Sequence, residues 1–272
     1  MKDKRTGQIL TSFILFTGAL LSVSLLGLAG NIAAAVNTCP EPEEPYPALY
    51  GAADGVFAEP ADKTVYFTFD DGPSPNTEVL LDMLAEEGVK ATFFVCAQAE
   101  DREYSARLLR RMRDEGHTIA LHTYTHQYKE VYCSLESYLT DLSKVNDFVF
   151  QCTGIYADIV RFPGGSCTSG ADPALMRSLA DELTRRGYIF YDWTAPSGDD
   201  GAKAAPSERI AENILAGING RQVEIVLCHD NATPTTTPEA VRSVIHRLRE
   251  EGYAFDRLTT QVPPVQLIYG AH

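Results

Sequence analysis

Positive charge is scarce in this chain of 272 residues, where 23 lysines and arginines stand against 37 aspartates and glutamates. Only Lys2, Asp3, Lys4 and Arg5 are charged before position 36, which leaves 20 basic and 36 acidic residues, a net of −16, beyond it. That excess disfavours nucleic acid or an anionic membrane surface as a partner. Charge of either sign is absent from Ile9 to Asn37. The apolar part, Ile9 to Ala35, is longer than the ~7–15 residues of a secretory h-region and long enough for a ~20-residue spanning helix. Its basic leader belongs on the cytoplasmic side, which places the rest of the chain outside. Ala33-Ala34-Ala35 offers a small-residue cleavage site. Residues 1–36 are therefore expected to be a cleaved signal peptide or a retained signal-anchor helix, giving a secreted or a membrane-anchored extracytoplasmic protein. Val36-Asn37-Thr38 is a poor lipobox for Cys39, which argues against lipidation. No cysteine spacing resembles a zinc knuckle, and no internal repeat is visible. All six cysteines lie on the exported side, where disulfides are permitted. Cys133 and Cys152 flank a helical segment and are the preferred pair. Cys96 and Cys228 sit in apolar runs and read as buried thiols.

What is present begins with a lead-in, residues 37–60, rich in Pro, Glu, Gly and Ala and read as a linker. From 61 to 272 strand and helix signals alternate. Val65–Phe69 is β-branched and aromatic, a buried strand broken by Gly72-Pro73. A helix over 76–87 carries Leu80, Leu81 and Leu84 on one face. Strands are expected at 91–95, 118–121, 159–162, 188–193, 224–228 and 254–257. Helices are expected at 105–115, 135–152, 173–186, 207–219 and 239–251, most of them closed by a glycine. About seven β-then-α units predict an α/β domain with parallel strands and helices outside.

Conspicuous polar residues fall at the predicted strand C-termini: Asp70 and Asp71, His122 and His126, Arg161, Trp193 through Asp199, and His229. In parallel barrels and open α/β sheets, that edge is where active sites are built. Alone, Asp-Asp-Gly-Pro is also what a turn aspartate beside a helix-capping aspartate looks like. Strand alternation is expected to aim Asp70 and Asp71 in different directions, one toward a metal and one toward another task. His122 and His126, at i and i+4, are expected on one face of a helical turn. With one carboxylate they make a site suited to Zn²⁺ or another first-row divalent ion. Thr123 stands where a metalloprotease needs glutamate, which counts against that chemistry. His117 reads as a packed structural histidine, His246 and His272 as solvated, and Cys167 as a neighbour of the site. Tyr66, Phe93 and Phe94 read as core.

Four motifs occur in order: Thr68-Phe69-Asp70-Asp71-Gly72-Pro73, His122-Thr123-Tyr124-Thr125-His126, Arg161-Phe162-Pro163-Gly164-Gly165 and Leu227-Cys228-His229-Asp230. Over roughly residues 64–258 the chain resembles the NodB-type polysaccharide deacetylases, carbohydrate esterase family 4. The resemblance implies a distorted (β/α) barrel with a groove at the strand ends. It implies Asp71, His122 and His126 as ligands of a divalent metal, Zn²⁺ first, with Co²⁺, Ni²⁺ or Mn²⁺ as alternatives. It makes Asp70 the general base, Arg161 its holder, His229 the general acid, and Leu227 part of an acetyl pocket. The Gly164 N–H would help bind the oxyanion. Members commonly carry Trp, then Asp six positions on, often followed by a second Trp. Trp193 and Asp199 fit, but Asp200 stands where the second Trp often lies, leaving Trp193 to supply part of the groove wall. Asp199 is assigned to orient His229, with Asp192 as competitor.

The implied activity is removal of N-acetyl groups from a cell-surface glycan, peptidoglycan amino sugars first, by a monomer. Chitooligosaccharide and O-acetylated xylan are the next substrates. A catalytically silent glycan-binding module on the same scaffold is the alternative of a different class, yet neither Asp70 nor a histidine ligand is missing. A phosphatase-like use of Asp70 would leave the histidine pair and Arg161 unexplained.

Overall fold

The computed structural model describes residues 45–97, 101–201, 204–231 and 236–270. In chain order the main elements are β1 (Thr64–Asp70), α1 (Pro75–Glu87), β2 (Thr92–Cys96), α2 (Arg102–Asp114), β3 (Thr118–Thr123) and α3 (Tyr128–Val131). There follow α4 (Leu135–Thr153), β4 (Ile159–Val160), α5 (Pro173–Arg185), β5 (Ile189–Phe190) and β6 (Ala195–Pro196). The last are α6 (Ser207–Gly217), β7 (Val223–His229), α7 (Thr237–Glu250) and β8 (Ala254–Asp256). The strand order is β5-β4-β3-β2-β1-β7-β6, and every pairing is parallel. All C-terminal strand ends therefore share one edge.

Local chemistry sets the boundaries. Ser74 caps α1 by accepting from Asn76 N–H while the Thr77 hydroxyl takes the Ser74 N–H, a reciprocal cap with Pro75 in the first turn. Gly88 ends α1 at φ 66°, a left-handed conformation that glycine adopts without steric cost. β1 is shared between neighbours. Thr64–Tyr66 pair with β8, Thr68–Asp70 pair with β2, and the whole strand pairs with β7. The edge strands β5 and β6 are joined by residues 191–194, whose N–H groups reach across the seam from Tyr191 to the Val160 carbonyl and from Thr194 to the Ile225 carbonyl. The strand expected over 188–193 is accordingly short, because the chain leaves the sheet to cross this seam.

Two apolar clusters follow from the period of two along each strand. Val65, Phe67 and Phe69, with Phe93, Val95, Leu121, Val226 and Cys228, pack outward under the helices. Tyr66, Phe94, Ala120, Ile159, Ile189, Tyr191 and Ile225 point inward with Leu258 and Val262. Continuing the inward parity by two or four positions, from Ala120, Ile159, Tyr66 and Ile225, reaches His122, Arg161, Asp70 and His229. Alternation thus caps a small apolar interior with a polar layer, giving a curled α/β barrel.

Part of the stretch read as a linker is packed. Leu49 is buried, Gly51 and Ala53 donate to the Arg186 and Gly187 carbonyls, and the buried Arg186 guanidinium binds the carbonyls of Pro45, Tyr46 and Leu49. Cys133 and Cys152 are free thiols, a correction to the expected disulfide. The 19-residue helix α4 separates them by roughly 27 Å of rise, far beyond the ~7 Å Cα limit of a disulfide. No helix among the described residues is long and apolar enough to cross a membrane. The segment 1–36 expected to form a signal or anchor helix, together with Cys39 and His272, lies outside the described residues.

Candidate active site

Asp70 closes β1 with its side chain buried on the inner face. The fully buried Arg161 guanidinium donates to Asp70 Oδ1 (2.9 Å), Thr68 Oγ1 (2.7 Å) and the carbonyls of Tyr191 and Asp192 (2.9 and 3.1 Å). It lies 4.0 Å over the Phe94 ring. Four acceptors and an aromatic face fix its orientation and compensate a buried cation. Removing Arg161 alone would strand Asp70 unpaired, at a cost of about 3–5 kcal/mol.

Asp71 lies just past the strand at φ 76°. This left-handed turn brings its carboxylate back to the side where Asp70 points, correcting the expectation that the two diverge. Asp70 Oδ2 is 3.9 Å and Asp71 Oδ1 3.6 Å from His122 Nε2, and Asp71 Oδ1 is 3.3 Å from His126 Nε2. The expected helical turn is also corrected. His122 belongs to strand β3, and His126 sits in the following loop at φ 53°. The loop, not an i,i+4 helical face, folds the second imidazole onto the first, with ring centroids 5.1 Å apart.

Asp71, His122 and His126 each offer one ligand atom, all within 4.8 Å of one another. Their chemistry fits a divalent cation on three counts. Asp71 Oδ1 is buried yet accepts no hydrogen bond, an arrangement costly for a carboxylate unless a cation compensates it. His122 Nδ1 is 2.7 Å from the Arg161 carbonyl. A carbonyl only accepts, so Nδ1 carries the proton and Nε2 presents its lone pair. Burial also pushes both histidines below their ordinary pKa and Asp71 above its own, so the imidazoles stay neutral and able to ligate.

His229 is the Cα partner of Asp70 on the adjacent strand, so the two side chains share the inner face. Its Nδ1 is 2.7 Å from Asp199 Oδ1, and its backbone N–H donates to Asp199 Oδ2 (3.0 Å). Burial opposes its charge, but the Asp199 hydrogen bond and the Asp70 charge outweigh it and push its pKa up to about 9. Asp199 is held by the hydroxyls of Ser197 (2.6 Å) and Thr237 (2.7 Å). Burial raises it, yet these bonds and His229 leave it below the ordinary carboxylate range. Asp192 serves elsewhere: it accepts from Ser166 N–H (2.8 Å) and Leu267 N–H (2.7 Å), anchoring the C-terminal segment.

The remaining expected residues also gather here. Gly164 is exposed at φ 74°, and a Cβ on it would lie 2.7 Å from both Thr168 Oγ1 and Tyr128 Oη. Only a glycine brings backbone this close. Trp193 is half-buried with its ring 5.7 Å from the Arg161 guanidinium. Leu227 is buried two residues before His229 on the same face.

Three contributors were not read from the sequence. Asp141 on α4 accepts from Tyr124 N–H (2.6 Å), Thr125 N–H (3.1 Å) and Thr125 Oγ1 (2.8 Å), clamping the loop between the two histidines. Asp230 N–H donates to the Asp70 carbonyl (2.6 Å), and its buried carboxyl takes the Ser74 hydroxyl (2.9 Å) beneath the Asp-Asp turn. A Cβ on Gly72 would lie 2.3 Å from Asp230 Oδ2. Tyr128 packs edge-on against His126, centroids 5.6 Å apart. Asp230 stood in the fourth motif, but its role beneath the Asp-Asp turn was not read from the sequence. Nothing local marks Asp141, which sits 16 and 17 residues from its partners.

Residues 58–180 match the family model described as polysaccharide deacetylase. The chain is 30% identical over 218 residues to a peptidoglycan-N-acetylglucosamine deacetylase of Bacillus cereus, spanning 79% of this chain and 76% of that one. It is 34% identical over 178 residues to a chitooligosaccharide deacetylase of Rhizobium leguminosarum bv. trifolii, spanning 64% of this chain and 74% of the relative. Among solved structures, the catalytic domain of peptidoglycan N-acetylglucosamine deacetylase from Eubacterium rectale superposes with TM-score 0.72 at 34% identity, covering 78% of this chain and 95% of that domain. A curled parallel barrel with this polar layer at its strand ends, matched by these relatives, belongs to the polysaccharide deacetylase family, and this chain is a member.

Proposed function

We propose that this enzyme is a metal-dependent hydrolase that removes N-acetyl groups from peptidoglycan amino sugars outside the cytoplasm. The observation that carries the reading is the division of the polar layer. The neutral imidazoles of His122 and His126 face the unpartnered, buried Oδ1 of Asp71, and a proton-bearing His229 faces Asp70 across adjacent strands. A divalent cation held by Asp71, His122 and His126 supplies Lewis acidity toward the amide carbonyl and toward water.

Everything else falls to the chain's own groups. Asp70 uses one oxygen to hold Arg161, and its Oδ2, 3.9 Å from His122 Nε2, is placed to take a proton from the attacking water. Arg161 keeps that carboxylate oriented. His229, protonated by virtue of Asp199, donates to the amide nitrogen, without which the amine is a poor leaving group. The Gly164 backbone lies open to stabilise the oxyanion. Leu227 and Trp193 offer apolar surface to the acetyl group and the sugar ring. Peptidoglycan is favoured by the names of the relatives and by the expected export of the chain. A chitooligosaccharide substrate has support from the Rhizobium relative.

The test is acetate release from purified peptidoglycan, N-acetylglucosamine oligomers and acetylated xylan, with and without chelator. Release from peptidoglycan that stops on metal removal and returns with Zn²⁺ is the expected result. Activity surviving complete metal removal overturns the proposal, and release confined to xylan overturns the substrate.

A further inference from the structure

The edge opposite the polar layer carries a second cleft. It opens at the N-terminal ends of β3 and β4 and is lined by Arg113, Ile155, Tyr156, Asp158, Arg257 and Thr259 among others, with a volume of about 360 Å³. That lies within the ~300–1,000 Å³ of small-ligand sites. Catalysis uses none of these residues.

Three features make the cleft more than a surface dimple. Tyr156 stacks on Phe150 with centroids 4.1 Å apart and planes 8° from parallel, yet both rings remain about two-fifths exposed, beside Ile155 at 46%. A rigid aromatic platform left in water is a recognition element when polar groups rim it. Arg257 supplies such a group. Its guanidinium donates to Thr118 Oγ1 (3.1 Å), and that hydroxyl donates to the Leu258 carbonyl (2.7 Å). Asp256 Oδ1 accepts the Arg257 backbone N–H (2.7 Å), but among the described residues no carboxylate pairs with the Arg257 guanidinium. Arg113 adds a second guanidinium, tied by Asp114 and the Thr153 carbonyl. Asp158 is engaged by the Ala52 N–H (2.8 Å), so one acceptor is partly spent, while the Arg257 guanidinium, tied only to the Thr118 hydroxyl, keeps further donors for a carboxylate.

We infer that this cleft is a second glycan-binding site, which takes a pyranose ring against Tyr156 and a carboxylate on that sugar, or appended to it, at Arg257. A carboxylate matches the planar fork of arginine, and an apolar sugar face matches an aromatic platform. The seven-residue β1 sets the two edges about 23 Å apart. The cleft therefore engages a distant part of the polymer or a neighbouring strand, raising the local concentration of acetylated units at the catalytic layer. From the catalytic reading it takes only that the protein meets acidic glycan.

Tyr156→Ala and Arg257→Gln test this in the full chain. Co-sedimentation with purified peptidoglycan is expected to weaken about 3- to 10-fold in each, while acetate release from short N-acetylglucosamine oligomers stays at the wild-type rate. Soluble muramic-acid-containing fragments are expected to bind more tightly than neutral oligomers, and Arg257→Gln is expected to abolish that difference. Wild-type co-sedimentation in both variants overturns the site. Loss of binding only to phosphatidylglycerol vesicles, with peptidoglycan binding intact, overturns it in favour of a lipid surface. Wild-type protein inactive on every substrate would remove the catalytic reading, while the co-sedimentation comparison still decides the cleft.

Discussion

Two kinds of histidine meet in one polar layer, and their environments drive them in opposite directions. His122 and His126 are pushed below the ordinary imidazole pKa, whereas His229 is pushed up to about 9. Burial acts downward on all three. The difference lies in the hydrogen-bonding partner. His122 Nδ1 meets a neutral backbone carbonyl, while His229 Nδ1 meets a carboxylate held on three further donors. A carbonyl selects a tautomer without adding charge; a carboxylate stabilises the imidazolium. The two environments thereby suit one residue type to ligation on one side and to proton donation on the other.

The largest effects come from breaking either side outright. His126→Ala is expected to lose metal binding and turnover together. Asp70→Asn is expected to keep the metal and lose about 10²–10⁴-fold in kcat. Metal content measured beside acetate release separates the two. An Asp70→Asn variant with wild-type acetate release would refute the assignment of the base.

Asp199→Asn should make His229 resemble its two neighbours. Without that carboxylate, only the Asp70 and Asp71 charges oppose burial, and the alkaline limb of kcat/KM is expected to move from near pH 9 toward 6.5. Stability follows with a definite sign. The raised His229 pKa contributes stability that is complete below 6.5 and lost as pH rises through about 9. The lowered Asp199 pKa contributes stability present above 3.8 and lost on acidification. The gap in Tm between wild type and variant should therefore be widest near pH 4–6.5 and narrow as pH rises through about 9. A gap independent of pH would show that the pair acts only through packing.

The same contrast marks how far sequence reasoning reached. Asp70, Arg161 and His229 were legible because a strand's period of two and its glycine or proline stop place a side chain without knowledge of anything distant. Asp71 and His126 were misplaced in conformation, since both take left-handed backbone, which is uncommon for any residue but glycine. The choice between Asp192 and Asp199 could not be settled locally. Both lie within six residues of Trp193, and only the β6–β7 pairing brings Asp199 to His229 and leaves Asp192 to Ser166 and Leu267. The four-residue helix α3 is too short for periodicity to reveal. The Cys133–Cys152 pairing failed because the long helix α4 carries Cys152 far along its length from Cys133.

Asp141 offers the finest adjustment, because it reaches the metal side without touching a ligand atom. Its three bonds hold Tyr124 and Thr125, while Thr123 Oγ1 accepts the His126 N–H (3.1 Å) from within the loop. Asp141→Asn keeps one acceptor but puts an NH₂ where at least one backbone donor already points, so the loop should relax and His126 lose part of its fixed geometry. Groups that orient metal-binding histidines typically contribute 10- to 100-fold in affinity, and a loss of about that size in Zn²⁺ affinity is expected by direct titration. At saturating Zn²⁺, kcat and the His229-dependent alkaline limb should stay close to wild type. A change in that limb would mean the two sides of the layer are coupled through the loop and do not divide the work as their opposite shifts imply.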